Sequence, residues 1–436
     1  MLQAFQNIFK IPELKKRIFF TLAMTAVFRL GSFIPTPGID TRTLREFFGT
    51  KSAGLLGLMD MFSGGAFSQF SIFALGIMPY ITTSIIFSLL TVVVPQLEQL
   101  SKEGEMGRKK INQWTRNSTV FVCIFQGLAI SLWLMNQNFN GIPLVINPGL
   151  GFYFLTIISL TAGTIFLMWI GEQVTEYGIG NGISLIIFAG IIDRIPQSMA
   201  GTIKLLQIGQ LNIFIFVFVI ALILGAVLFT VFLEQGVRKI PVQYAKHIVG
   251  RKVYGGQSTY LPLKVDMSGV IAVIFAISLF MIPSMIARVV HWQFLQSIAN
   301  WFERGGILYF LIYAPLIIFF CYFYNSIVFN PMDVAENMKK YGGFIPGIRP
   351  GEPTAKHIDW ILVRLTLIGA LGVTIIAIVP DVLQRVFKIP FSFGGTALLI
   401  VVGVALDTMK QIESHLLMRH YEGFMNKGKL VGRTSR

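Results

Sequence analysis

The sequence predicts an all-α polytopic membrane protein with ten transmembrane helices. Three observations carry this. Of the 436 residues, 54% are hydrophobic and only 13% are charged, about half the charge of a soluble domain. Ten windows are apolar over roughly the 20 residues that a helix needs to cross a bilayer. No hydrophilic stretch is long enough to form a separate soluble domain. The net charge of +15 would suggest nucleic acid in a soluble chain. Here the positive-inside rule is the first explanation.

The spans fall near 18–35, 70–94, 115–135, 151–170, 180–200, 211–233, 267–288, 305–329, 358–379 and 391–411. The opening MLQAFQNIFKIPELKKR is a basic, amphipathic lead-in without the small-residue cleavage site of a signal peptide. Pro79 lies inside the second span and predicts a kink. Asp193, Arg194 and Pro196 interrupt the fifth. Lys and Arg number 23 in the connections on the side of the two termini and nine on the other side when Arg194 and Arg288, within the outer ends of their spans, are included, which puts both termini in the cytoplasm. Arg29, two-thirds along the first span, is expected to snorkel outward. The cytoplasmic connections 234–266 and 330–357 are far longer than the usual helix-to-helix link.

One stretch does not fit a simple span. DMFSGGAFSQ, residues 60–69, heads an apolar run from Gly54 to Val94 that is too long for one crossing and too short for two. The Gly64–Gly65 pair costs a continuous helix roughly 2 kcal/mol relative to alanine. Asp60 would cost several kcal/mol more at mid-bilayer. Such a segment suits a short re-entrant helix in an aqueous cavity, where non-spanning backbone is tolerated.

Signals for catalysis are weak. GIGNG at 178–182 has no strand before it, and GEMGRKK at 104–110 lacks P-loop spacing. The five histidines fall in loops or at span ends without metal spacing. Cys123 and Cys321 each lie inside an apolar run, which argues against a structural disulfide. No Asp, Glu or His sits at mid-membrane to bind an ion or relay protons, which speaks against a coupled carrier. An intramembrane protease would need paired Asp, Ser–His or HExxH within the spans. Thr82, Thr83, Ser84 and Gln126 are small or uncharged polar residues that usually tie helices together; they also suit a seam between helices that must separate. Ile77 and Ile81 share one helical face, as do Ile183 and Ile187. From that spacing alone, isoleucines facing lipid are the default reading, as in any span, and a pore is the minority one.

Taken together, several stretches resemble the SecY family of protein-translocation channels: FRLGSFIPTPGID (28–40), MFSGGAFSQFSIFALGIMPYITTSII (61–86), EGEMGRKKINQWTR (103–116), FLMWIGEQVTEYGIGNGISLIIFAGI (166–191), IPVQYAKH (240–247), STYLPLKVDMSGVI (258–271), FNPMDVAENMKKYGGFIPGIRPGEPT (329–354) and PFSFGGTALLIVVGVALD (390–407). The likeness runs from the first span to the last and is nearer to the bacterial form. It implies two pseudo-symmetric halves, 1–200 and 201–436, around an hourglass pore in the bacterial cytoplasmic membrane.

The resemblance also assigns roles. Ile77, Ile81, Ile183, Ile187, Ile274 and Ile400 would form the pore ring. β-Branched side chains are stiff at the first torsion, and a narrow apolar ring dewets. Residues near 55–67 would be the plug below that ring, with Leu55, Leu58, Asp60, Met61, Phe62, Ser63, Gly64, Gly65 and Phe67 as its members and the glycines as its hinge. Thr82 and Gln126 would lie at a lateral gate opening to lipid. Arg238, Lys239, Lys246, Arg251, Lys252 and above all Arg349 would dock the SecA ATPase or the ribosome, including ribosomal RNA phosphate. His247 stands where the family commonly has a basic residue and is in doubt as a contact. The implied partners are the SecE and SecG subunits, signal sequences, unfolded client chains and membrane lipid. No cofactor and no catalytic step are implied.

Overall fold

The structure is a computed structural model that describes residues 11–51, 55–139, 142–209, 212–244, 247–249, 252–254, 258–289, 306–387 and 394–428. It is mostly helical. In chain order the helices are α1 (Pro12–Gly31), α2 (Thr41–Lys51), α3 (Leu55–Phe62), α4 (Met78–Val93), α5 (Pro95–Lys102), α6 (Glu105–Met135), α7 (Leu150–Tyr177), α8 (Gly182–Gln207), α9 (Ile213–Gln235), α10 (Gly269–Val289), α11 (Ile307–Val328), α12 (Pro331–Lys340), α13 (Glu352–Phe387) and α14 (Gly395–Gly428). Short strands occur in the connections. They are β1 (Asn138–Phe139), β2 (Ile142–Pro143), β3 (Val237–Tyr244), β4 (His247–Val249), β5 (Lys252–Tyr254), β6 (Ser258–Lys264) and β7 (Gly343–Phe344).

Among the described residues, seven helices are long and apolar enough to cross a membrane. An eighth is reached if α4 and α5, bent by 99° at their junction, count as one. In the most apolar window of α9 only 6% of the residues are buried, and Phe214, Leu228 and Phe232 stand on its surface. A contiguous apolar surface of that kind is stable only against lipid or a partner.

Several helices differ from the sequence reading. α6 and α13 start well before the apolar windows at 115 and 358, because polar residues continue a helix beyond the bilayer as readily as water permits. The second span is shorter than 70–94, since helix begins only at Met78. Pro79 causes no kink. It occupies the first turn of α4, where its missing N–H is one of the orphan donors that every helix start leaves unused. The sharp bend comes instead at Val94–Pro95. The residue before proline is driven out of the helical region, and Val94 is extended (φ −99°, ψ 112°).

The chain forms two compact units. The first comprises residues 1–197, 282–299 and 400–436. Its core contains irregular backbone, residues 63–77, packed among aromatic rings. Phe67, Phe70 and Phe73 are almost fully buried. Phe73 stacks on Phe28 and on Phe166, and Phe67 meets Phe48 edge-on at 5.5 Å. Buried non-helical backbone must find internal partners. The Thr36 N–H donates to the Phe70 carbonyl (2.8 Å) and the Ile72 N–H to that of Ile34 (3.0 Å). Gly163 of α7 lies against this segment, so that a Cβ there would come 1.9 Å from the Ile72 carbonyl oxygen. Asp40 caps α2: its carboxylate accepts the Thr43 hydroxyl (2.6 Å) and the Arg42 N–H (3.0 Å), which hold its pKa below the usual value.

The second unit comprises residues 198–281 and 300–399. Its two long connections are not plain loops. β3 pairs antiparallel with β6 from Val237 to Gln243, and β7 from the other connection joins β3 at Gln243 and Tyr244. Ile240, Val242 and Leu263 point into an apolar cluster with Met338, Ile345, Ile358 and Leu362. Pro241 sits where β3 has a partner on one side only, which tolerates a residue without an N–H.

Candidate functional site

The anomalous stretch at 54–77 divides into an eight-residue helix and a series of turns. At about 1.5 Å per residue, α3 rises only about 12 Å, less than half a bilayer core. Gly64 and Gly65 end it with φ +65° and +86°, a region that costs other residues strain. Met61, Phe62, Ser63 and Phe67 are buried. Leu55 and Leu58 lie on the same helix.

Asp60 is buried and fully engaged. One carboxylate oxygen accepts the Ser68 N–H at 2.7 Å. The other is ion-paired with Arg194 of α8. Arg29 of α1 does not snorkel outward. It pairs with Asp193, the neighbour of Arg194, and donates to the Gly64 carbonyl at 3.0 Å. Turning inward gives this guanidinium both a counter-charge and a carbonyl, which a route to the interface would forgo. Two glycines make the approach possible. A Cβ on Gly64 would lie 2.7 Å from the Gly190 Cα, and one on Gly65 would meet the Arg194 guanidinium at 3.4 Å. The four charges balance to zero. Removing one partner of a buried pair typically costs about 3–5 kcal/mol, because the other charge is stranded. In the sequence, Asp193–Arg194 reads only as an interruption of a span. Opposite charges inside an apolar helix generally have partners, and that rule is the signal that could have found them.

The six isoleucines divide between the units: Ile77, Ile81, Ile183, Ile187 and Ile400 belong to the first and Ile274 to the second. All are buried except Ile183, which is half-buried and lies against Gly171. The Thr82 hydroxyl donates to the Met78 carbonyl of its own helix (3.0 Å), and Gln126 is buried on α6.

In the second unit, Arg238 and Lys239 are exposed on β3. Arg349 is exposed in the turn after β7. Gly347 (φ +83°) and Gly351 (φ +106°) shape that turn. The Thr354 hydroxyl donates to the Arg349 carbonyl at 2.8 Å, and Ile345 and Ile348 anchor the turn in the apolar cluster. Lys252 lies on β5, while Lys246 and Arg251 lie outside the described residues. Among the described residues, no group of three or more His, Cys, Asp or Glu side chains is placed to hold a metal ion.

Fold and site together define a multi-spanning helical membrane protein with a short non-spanning helix held by buried charge. The SecY family model matches residues 71–409. The chain belongs to the SecY family. It is 50% identical over 427 residues to the protein translocase subunit SecY of Escherichia coli strain K12, covering 97% of this chain and 96% of that one. It is 47% identical to the subunit of the same name from Thermus thermophilus, covering 99% of this chain and 100% of that one. Among solved structures, a protein conducting channel superimposes with a TM-score of 0.64 at 19% identity, covering 92% of each chain. Sec61 in the canine ribosome-channel complex superimposes with 0.62 at 17%, with the same coverage. At those identities the structural likeness establishes the fold.

Proposed function

We propose that this chain is the central channel subunit of a bacterial preprotein translocase. It conducts unfolded secretory proteins across the cytoplasmic membrane and releases membrane segments sideways into lipid. The observation that carries the reading is 50% identity to a protein translocase subunit across nearly the whole chain. In this reading ten spans form two halves, 1–200 and 201–436, with both termini cytoplasmic. The channel works with SecE and SecG, and SecA or the ribosome supplies the drive. The chain performs no catalytic step and needs no cofactor. Thr82 and Gln126 border the lateral gate, and residues 55–67 are the plug. Reconstitution tests the core claim. Vesicles holding this chain with SecE and SecG should protect a secretory precursor from protease when SecA and ATP are added. Absence of ATP-dependent protection in vesicles with verified, folded complex would reject it.

The six isoleucines form the seal around a moving chain in this reading. Replacing all six with glycine removes stiff apolar bulk from the constriction and should raise resting ion leakage at least about tenfold. The check is dye-reported ion flux in the same vesicles. Leakage at the parental level would remove the ring from the assignment.

A further inference from the structure

We propose that Arg194 is a positioning residue for the closed channel: with Asp60 it forms a charge lock that holds the plug segment against α8, and Arg29 with Asp193 secures the same segment from α1. The proposal rests on the reading of residues 55–67 as a movable seal.

The geometry carries it in three steps. First, the non-spanning segment is held by side chains of two longer helices, Arg194 of α8 on its Asp60 carboxylate and Arg29 of α1 on its Gly64 carbonyl. Both contacts bear on the 60–65 segment, so that segment cannot leave without breaking both. Second, the anchors share one dipeptide. Asp193 holds Arg29 while Arg194 holds Asp60, so displacement on one side disturbs the balance of charge on the other. Third, the lock is graded in exposure. The Asp60 side chain is 7% exposed and that of Arg194 22%, whereas that of Asp193 is 40% exposed. The paired state is shielded enough to be strong, yet its Asp193 end reaches the surface of the protein. A pair sealed in hydrocarbon would open far less readily. Gly65 is part of the device, because the Arg194 guanidinium passes over the space where a side chain would begin.

A double-mutant cycle on resting ion leakage tests this in the reconstituted complex. Asp60→Asn keeps an acceptor for the Ser68 N–H and removes the charge, and Arg194→Gln removes its partner. Each should raise leakage about tenfold, and the double variant should leak no more than either alone, because the two residues act as one unit. Arg194→Lys, which keeps the charge, should restore most of the seal even if Arg194→Gln is poorly folded. Leakage that multiplies in the double variant, or single variants as tight as the parent, would overturn the lock. Deleting residues 57–65 separates the two levels of inference. A leaking deletion with silent point variants rejects the lock alone. A deletion as tight as the parent rejects the seal on which the lock depends.

Discussion

Arg349→Glu should lower ATP-driven precursor transport by roughly two orders of magnitude while leaving the protein folded. The size follows from the usual cost of about 2–4 kcal/mol for losing a central interface arginine. In the proposed reading Arg349 is such an anchor, and its placement suits the role. Its backbone is fixed by two glycines at positive φ, by the Thr354 hydroxyl and by Ile345 and Ile348 in the apolar cluster. A guanidinium presented from a rigid turn loses little freedom on binding, and its planar fork suits carboxylate or phosphate. Glutamate there would repel the same partner. Because the side chain is exposed, unfolding should move little, within about 0.5 kcal/mol. Transport and thermal unfolding measured on the same preparation decide the matter. Normal transport would remove Arg349 from the docking surface.

Gly163→Leu should prevent the first unit from packing, with a loss beyond about 4 kcal/mol. The contact is with backbone. An added Cβ would lie 1.9 Å from the Ile72 carbonyl oxygen and 2.8 Å from its carbon, and neither atom can swing aside as a side chain could. Ile72 is tied to Ile34 by its own N–H, so displacing it pulls on the end of α1 as well. Gly151 on the same helix is the control. A Cβ there meets nothing within 4 Å, and Gly151→Ala should be neutral or stabilise by up to about 1 kcal/mol. Thermal unfolding in detergent compares them. A Gly163→Leu protein as stable as its parent would show that α7 does not pack on this segment.

The seven helices among the described residues that are long and apolar enough to cross a membrane were legible because hydrocarbon thickness imposes a length on any apolar helix, and the Gly64–Gly65 break was legible because glycine has a known local cost. Other features depended on contacts distant in sequence. Pro79 starts a helix here, and proline inside an apolar run reads equally as a kink until the helix start is seen. β3 was hidden because its alternation carries a proline and three flanking polar residues; only the pairing with β6 and the cover from Ile358 and Leu362 make Ile240 and Val242 an inner face. The charge lock joins residues 29, 60, 193 and 194. Each of those charges looks like an isolated liability in the sequence, and nothing local says which cancels which.

The shared sheet also sets an order of manufacture. β3 and β6 are near neighbours in the chain and can pair soon after they leave the ribosome. Their third strand and the residues that cover their apolar face come about 80 to 100 residues later, after two further apolar helices. At 5–20 residues per second, that is a wait of roughly 4–20 seconds. During this interval the hairpin is a bare ribbon with one greasy side, and the turn carrying Arg349 does not yet exist. A half-made chain therefore cannot present the finished three-stranded sheet, with the Arg349 turn braced beneath it, until the residues up to Leu362 have been made.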